Sequence, residues 1–547
     1  MNRFSEFSNN LRLLASTKWR TLLLFLSAAL SGITLIFPKI GFIEWITLIP
    51  AAIVLLCRAP QREIRLRSLY RDGFIFFYTF YLVCFHWFTY LYPLDFIDGM
   101  TKGSALLVVI LAWFGVALVQ ALLSAFMFVL AGVLCRSRVC ERIPLCRAFV
   151  IAGLWTLCEW FQTVGWWGVP WGRLTLGQSY YIIGLQNASW FGSYFVTFVL
   201  VLVNLLLAYA LINLSKKSIV RSSVAIVVGF LLFQYVSGAI IYATTDLTDG
   251  EKVRVACIQG NIPSSEKWNV NSSDKTIYNY EKYTAEAAKE GAQIVVWPET
   301  AIPYNITKSE GYAALFAQMA QENNVYILVG TYVSDEDGKS LNSLVCFTPK
   351  GEQHDTVYSK RHLVPFGEYI PLRGLIEAIV PPLADLVMTT DDVYPGEGAQ
   401  IIETDEGIAI GGLICFDSIY EELTLESVRD GAELICLSTN DSWFIDSAAL
   451  DMHNAHAQIR AIESGRYIAR AANTGISTVI APNGNIIEQL DPLVEGKIVA
   501  DVYATERTTL WSIIGNSFVY LIMIAFVCIV ADRIYVGFKK KIEQYNA

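Results

Sequence analysis

Three stretches place a reactive side chain where an apolar run breaks into turn residues. Trp297-Pro298-Glu299-Thr300 ends one run on a carboxylate. Tyr358-Ser359-Lys360-Arg361-His362-Leu363-Val364-Pro365-Phe366-Gly367-Glu368 brings an ammonium and a second carboxylate. Gly411-Gly412-Leu413-Ile414-Cys415-Phe416-Asp417 is a small-residue run that ends in a thiol. Strand ends are where open sheets carry their sites, so three such ends can bring these groups together. A thiolate is a strong nucleophile, whereas a thiol is not. A buried carboxylate can take the thiol proton and return it to a leaving group. An ammonium can hold the sulfur ionised and stabilise a tetrahedral oxyanion, helped by the backbone N–H of Phe416. Singly, a strand-end cysteine is more often packing and an exposed Glu or Lys is solvated surface. The combination, in this order and these contexts, carries the signal.

The elements that must position these groups lie in residues 243–510. Short runs rich in Val, Ile and Leu at 253–259, 292–297, 325–333, 342–348, 408–415 and 433–439 read as strands. Helical stretches intervene at 276–290, 311–322, 423–430 and 453–464. This order implies an α/β layered domain. An apolar stretch at 375–388, broken by a Pro pair, reads either as a buried loop or as an arm that meets lipid.

The 547-residue chain is 54% hydrophobic and 17% charged, too apolar for a string of soluble domains. With 30 Phe, 27 Tyr and 14 Trp it is not disordered. The net charge of −9 hides a division: residues 243–510 hold 18 Lys/Arg against 40 Asp/Glu, while the remainder is basic. Apolar runs near 21–37, 40–57, 73–92, 104–134, 148–164, 190–213, 219–242 and 511–537 read as eight spans, each about 20 helical residues being enough to cross a bilayer. The first two, split at Pro38-Lys39, also fit a re-entrant hairpin. With the N-terminus inside, the inner segments hold 20 Lys/Arg, and the short outer loops only Lys39, Lys102 and Arg173. The expected organisation is seven spans in 1–242, an extracytoplasmic catalytic domain at 243–510, and a final span and cytoplasmic tail at 511–547. The first run has a basic leader like a signal peptide, but a second apolar run follows almost at once.

Other constellations are weaker. Eleven cysteines include no C-x-x-C, which gives neither a zinc nor a redox motif. His453 and His456 beside Asp451 lack a third ligand cluster and read as a satisfied polar helix face, so no metal is expected. There is no G-x-S-x-G elbow and no phosphate loop. Glu159, in the fifth apolar run, is either a functional intramembrane carboxylate or an interfacial one. The acidic domain argues against nucleic acid.

The segments WPET, YSKRHLVPFGEYIP and GGLICFD resemble the Glu–Lys–Cys pattern of the nitrilase (carbon–nitrogen hydrolase) superfamily, an αββα sandwich. Behind seven spans and before an eighth, they are similar to the apolipoprotein N-acyltransferases. Gln259-Gly260-Asn261-Ile262-Pro263 with Lys267-Trp268, Thr439-Asn440-Asp441-Ser442-Trp443-Phe444, Arg460–Arg466, Arg470–Ser477 and Gly168-Val169-Pro170-Trp171 extend the likeness. The resemblance implies acyl transfer in the cytoplasmic membrane, without a cofactor. The donor would be a phospholipid, typically phosphatidylethanolamine, and the acceptor the α-amine of a diacylglyceryl-modified apolipoprotein. It implies Cys415 as nucleophile, Glu299 as general base and Lys360 as partner of the thiolate and oxyanion. Glu368, Phe416 and Asp417 would be auxiliary, and Trp268, Trp443 and Trp171 would shape lipid access. Many members have Tyr-Glu where this chain has Phe416-Asp417, which bears on substrate handling. Two other readings stay open: a membrane-tethered amidase whose acyl-enzyme is resolved by water, and a non-catalytic transporter or scaffold. Seven leading spans exceed what a tether needs, which favours the transferase.

Overall fold

The computed structural model describes residues 3–94, 100–165, 167–267, 273–308, 310–379 and 393–546. The chain forms two compact units. A helical unit holds Met1–His86, Leu111–Ala243 and Ile514–Ala547, and an α/β unit holds Thr244–Ile513 together with Trp87–Ile110.

Among its described residues the α/β unit contains twelve strands: β1 (Glu251–Gln259), β2 (Ile294–Val296), β3 (Tyr326–Ser334), β4 (Ser340–Phe347), β5 (Gln353–Ser359), β6 (Ile401–Glu403), β7 (Ala409–Ile414), β8 (Leu434–Thr439), β9 (Tyr467–Ala472), β10 (Ser477–Ile480), β11 (Ile486–Leu490) and β12 (Gly496–Ala504). They form two six-stranded sheets, ordered β12-β1-β2-β3-β4-β5 and β11-β10-β9-β8-β7-β6. The central pairs β1–β2–β3 and β7–β8–β9 are parallel. The flanking pairs are antiparallel. Successive residues point to opposite faces and both faces are covered, so the central strands are apolar throughout. Val253, Val255 and Cys257 of β1 enter the core between the sheets, with Leu328, Ile410 and Cys436. Ala256 and Ile258 face outward, into a layer with Tyr280 and Phe316 from helices Ser273–Lys289 and Glu310–Asn323. Helices Glu421–Arg429 and Ala448–Ser464 pack against the second sheet. The result is the αββα sandwich.

The six expected strands are all present, and six more join them. β5 and β11 are polar strands at or near sheet edges, and β9 carries a buried Arg470, so none reads as an apolar run. Of the apolar stretch at 375–388, residues 380–388 lie outside the described residues.

Among the described residues, five helices are long and apolar enough to cross a membrane: Pro38–Arg58, Lys102–Leu134, Ser193–Leu211, Lys217–Thr244 and Ser517–Val536. The pair Arg3–Ser16 and Arg20–Ile36, bent by 90°, makes a sixth if counted as one span. The expected eight are not reached on these criteria. Helix Leu66–Cys84 carries Arg67, Arg71 and Asp72, and Cys146–Phe161 has only 16 residues. Buried polar groups stitch the unit together. Asp72 binds Arg20 at 3.1 Å and Arg58 at 2.8 Å. Glu44 accepts from Gln178 at 2.6 Å. Glu159 accepts from Trp155 and the Leu174 N–H on one oxygen and from Thr197 on the other, so it joins helices from within the unit.

Gly412 shows how tightly the sandwich closes. A Cβ there would stand 2.7–2.9 Å from Cβ, Cγ and Cδ1 of Tyr358 on β5. Gly412→Ala is expected to lower stability by about 1–3 kcal/mol, the usual cost of overpacking. An earlier denaturant midpoint in the detergent-solubilised chain, followed by tryptophan fluorescence, is the readout. An unchanged midpoint would mean that β7 and β5 have slack between them.

Candidate active site

Each reactive group sits just past a strand end. β2 runs into Trp297-Pro298 and then Glu299. Gly330 on β3 lets that turn approach, because a Cβ there would lie 2.1 Å from the Pro298 carbonyl oxygen. Ser438 of β8 donates to the Trp297 carbonyl at 2.7 Å, which ties the turn to the opposite sheet. Lys360 follows β5, its N–H bonded to the Asn342 carbonyl at 2.8 Å. Cys415 follows β7 and opens a 3₁₀ turn, Cys415–Ile419, with φ of +49°. A non-glycine residue in that region is strained, and such strain persists only where the surroundings enforce it.

The Lys360 ammonium lies 2.8 Å from Glu299 Oε1 and 2.9 Å from Glu368 Oε2. Asn342 Nδ2 donates to the other side of the pair, 2.8 Å from Glu299 Oε1 and 2.8 Å from Glu368 Oε1. The Asn440 N–H donates to Glu299 Oε2 at 3.0 Å, and the Val364 N–H to Glu368 Oε2 at 2.8 Å. Burial alone would raise the Glu299 carboxyl, but the Lys360 charge and hydrogen bond, the Lys267 charge and Asn342 outweigh it and hold the carboxyl below its ordinary value. Burial disfavours the Lys360 ammonium, yet Glu299, Glu368 and Cys415 together push it well up. The Cys415 thiol, half-buried, is also pushed up, first by desolvation and then by the Glu299 carboxylate, with Lys360 opposing. At rest the site therefore holds a thiol beside a ready carboxylate. This corrects the expectation of a resting thiolate: burial, joined by the Glu299 carboxylate, outweighs the Lys360 charge that would ionise the sulfur.

Behind the nucleophile lies a network that the motifs did not reveal. His453 Nδ1 is 2.8 Å from Asp441 Oδ1, and its Nε2 is 3.1 Å from both the Cys415 carbonyl and Ser418 Oγ. Arg470 binds Asp441 Oδ2 at 2.7 Å. Arg470 and His453 drive the Asp441 carboxyl far down despite its burial. A third group thus does accompany His453, whose polar helix face is buried with both ring nitrogens hydrogen-bonded. Ligand atoms of Cys415, Asp441 and His453 lie within 4.8 Å of one another. Hydrogen bonds to Arg470, Ser418 and the Cys415 carbonyl already use the Asp441 and His453 atoms, so the cluster is built to brace the strained turn.

Asp417 is also a brace. Its oxygens accept from the Tyr358 hydroxyl (2.9 Å) and from the N–H groups of His362 (2.8 Å), Arg361 (3.2 Å) and Ile414 (3.2 Å). It locks the Lys360 loop to the Cys415 turn instead of facing the reacting groups. The Phe416 ring packs edge-on against Tyr420 at 5.3 Å. Trp443 is half-buried on the turn after Asp441. Its neighbour Phe444 meets Trp87 at 5.0 Å, an aromatic contact supplied by the Trp87–Ile110 segment. Trp171 is buried in the helical unit, and Trp268 lies outside the described residues. Sequence reasoning missed Asn342, Asn440, His453 and Lys267 as site residues. Asn440 stood at a strand end, and Asn342 was the first residue of an expected strand.

Residues 254–509 match the carbon–nitrogen hydrolase family, and residues 27–206 match the apolipoprotein N-acyltransferase N-terminal domain. Apolipoprotein N-acyltransferase of Gloeobacter violaceus is 29% identical over 88% of this chain and 88% of its own. That of Geobacter metallireducens is 29% identical over 91% and 92%. That of Pseudomonas syringae pv. tomato is 31% identical over 67% of this chain and 70% of its own. The chain belongs to the apolipoprotein N-acyltransferase family. As a member it is a membrane acyltransferase whose α/β unit is of the carbon–nitrogen hydrolase kind. The hydrolase match spans Glu299, Lys360 and Cys415, and the N-terminal match spans Glu159 and Trp171.

The raised thiol gives a direct test. Alkylation of Cys415 by iodoacetamide, followed by mass spectrometry of its peptide, is expected to keep rising through pH 9, beyond the ordinary thiol value of about 8.5. A plateau below that value would mean a resting thiolate.

Proposed function

We propose that this enzyme moves an acyl chain from a membrane phospholipid, phosphatidylethanolamine in the simplest case, to the N-terminal amine of a diacylglyceryl-cysteine lipoprotein through a Cys415 thioester. The Glu299–Lys360–Glu368 charge cluster buried beside the Cys415 thiol carries the reading, because it supplies a base, an oxyanion partner and a nucleophile in one place.

In the first half, Cys415 sulfur attacks the ester carbonyl as its proton passes to Glu299. The Lys360 ammonium and the Phe416 N–H stabilise the oxyanion. As the tetrahedral species collapses, the lysophospholipid alkoxide leaves with the proton from Glu299, and a thioester remains. In the second half, the lipoprotein amine attacks, the amide forms, and Cys415 leaves as a thiol with the proton again relayed by Glu299. A thioester can acylate an amine without ATP, provided water is kept out. Glu368 keeps Lys360 charged and placed. The roles in lipid access that the resemblance implies for Trp268, Trp443 and Trp171 belong to the same reading.

The organisation that fits this chemistry is residues 1–242 and 511–547 in the cytoplasmic membrane and residues 243–510 on its extracytoplasmic face. The 20-to-3 distribution of Lys and Arg between inner and outer segments supports that orientation.

Incubating the full chain with phosphatidylethanolamine vesicles is expected to give an acyl mass adduct on Cys415, absent in Cys415→Ala. Adding a diacylated lipopeptide is expected to convert it to amide. Release of free fatty acid instead would mean a hydrolase. Glu299→Ala and Lys360→Ala are each expected to lose at least about 100-fold in adduct formation, the scale of general-base and oxyanion groups. Near-normal rates in either variant would remove that residue from the set.

A further inference from the structure

A second lysine reaches this site and has no part in the steps above. Lys267 is 6% exposed and closes the short helix Ser264–Lys267. Its Nζ donates to the backbone carbonyl of Glu299 at 2.9 Å. Lys360 grips two carboxylates, whereas Lys267, among the described residues, has no carboxylate within ion-pair distance. A neutral amine satisfies a carbonyl acceptor as well as an ammonium does, and it keeps a lone pair. Lys267 also lines a small cleft with Ile302, Pro303, Tyr304 and Tyr312.

We propose that Lys267 is the base that deprotonates the incoming acceptor ammonium before it attacks the Cys415 thioester. The inference rests on the thioester reading above. Glu299 relays one proton per half-reaction and returns it to the leaving group, so it cannot absorb another. An N-terminal α-amine has an ordinary value of about 7.7–8.0, so only about one-tenth is nucleophilic at pH 7. The acceptor R–NH₃⁺ gives a proton to Lys267 Nζ. The freed lone pair forms the C–N bond, Glu299 takes a second proton, and the C–S bond breaks with that proton passing to sulfur. The products are the amide and the Cys415 thiol, and Lys267 releases its proton to water. Burial pulls the Lys267 ammonium down to about 7, although Glu299 and Cys415 oppose the shift. Those two groups, with Tyr304 and Tyr312 on the cleft side, are the titratable groups that face it.

The test separates the half-reactions in the full-length chain, using phosphatidylethanolamine vesicles and a synthetic diacylglyceryl lipopeptide with a free α-amine. At pH 7, Lys267→Gln and Lys267→Arg are each expected to slow amide formation about tenfold more than they slow Cys415 thioester formation, and that difference is expected to close by pH 9, where the amine is neutral on its own. The arginine variant keeps a donor to the Glu299 carbonyl but cannot accept a proton. Full aminolysis in Lys267→Arg would overturn the proposal and make Lys267 a positioning residue. So would an equal loss in both halves, or a loss that persists at pH 9. Failure of the parent chain to form any thioester would instead overturn the mechanism beneath it.

Discussion

Lys360 holds a full positive charge at 1% exposure, where a lone ammonium would be several kcal/mol out of place. Two ionised carboxylates within 2.9 Å resolve that, and they in turn depend on Asn342, Asn440 and Val364 for the rest of their hydrogen bonds. Removing one partner from such a cluster typically costs about 3–5 kcal/mol, because the other charges are left uncompensated. The arrangement also sorts the groups by role. Lys360 is too strongly held to give up its proton, Glu299 is kept ionised and ready to accept one, and the thiol keeps its own until a substrate carbonyl offers somewhere for charge to go. The cluster thus favours reaction over a standing, oxidisable thiolate.

A second set of buried polar groups fixes the geometry that the first requires. Cys415 is strained, and the peptide that follows it is held by His453 and Ser418 from behind. Arg470 and Asp441 orient His453. Asp417 spans from the Cys415 turn to the loop that carries Lys360. A shorter carboxylate at this position serves because Tyr358 on β5, pressed against Gly412, brings its hydroxyl within 2.9 Å. The small residues of the Gly411-Gly412 pair are therefore part of how the ammonium loop and the thiol turn are brought together.

The helical unit obeys the same rule in an apolar setting. Asp72, Glu44 and Glu159 are each fully paired, and they join helices that are distant in sequence. Helices with interior partners of this kind need not be uniformly apolar or long, so hydropathy runs and whole spanning helices do not correspond one to one. Arg67, Arg71 and Asp72 in Leu66–Cys84 illustrate the gap.

Apolar runs and helical periodicity sufficed for six of the interior strands and their covering helices, since their residues face apolar layers on both sides. The types of Glu299 and Cys415, each at the end of such a strand, and of Lys360 among turn residues, marked them as reactive from the letters alone. Nothing local marked β5, β9, β11 or β12, because edge polarity, an internal arginine or pairing across more than two hundred residues defines those strands. Nor did any pattern foretell that Glu368 would share the ammonium, that His453 would reach the Cys415 carbonyl, or that the sulfur would keep its proton. Charge state and hydrogen-bond partnership depend on which groups meet once water is excluded. Sequence fixes the candidates and their supporting strands, and only the closing of two sheets on one another decides which charges must neutralise one another.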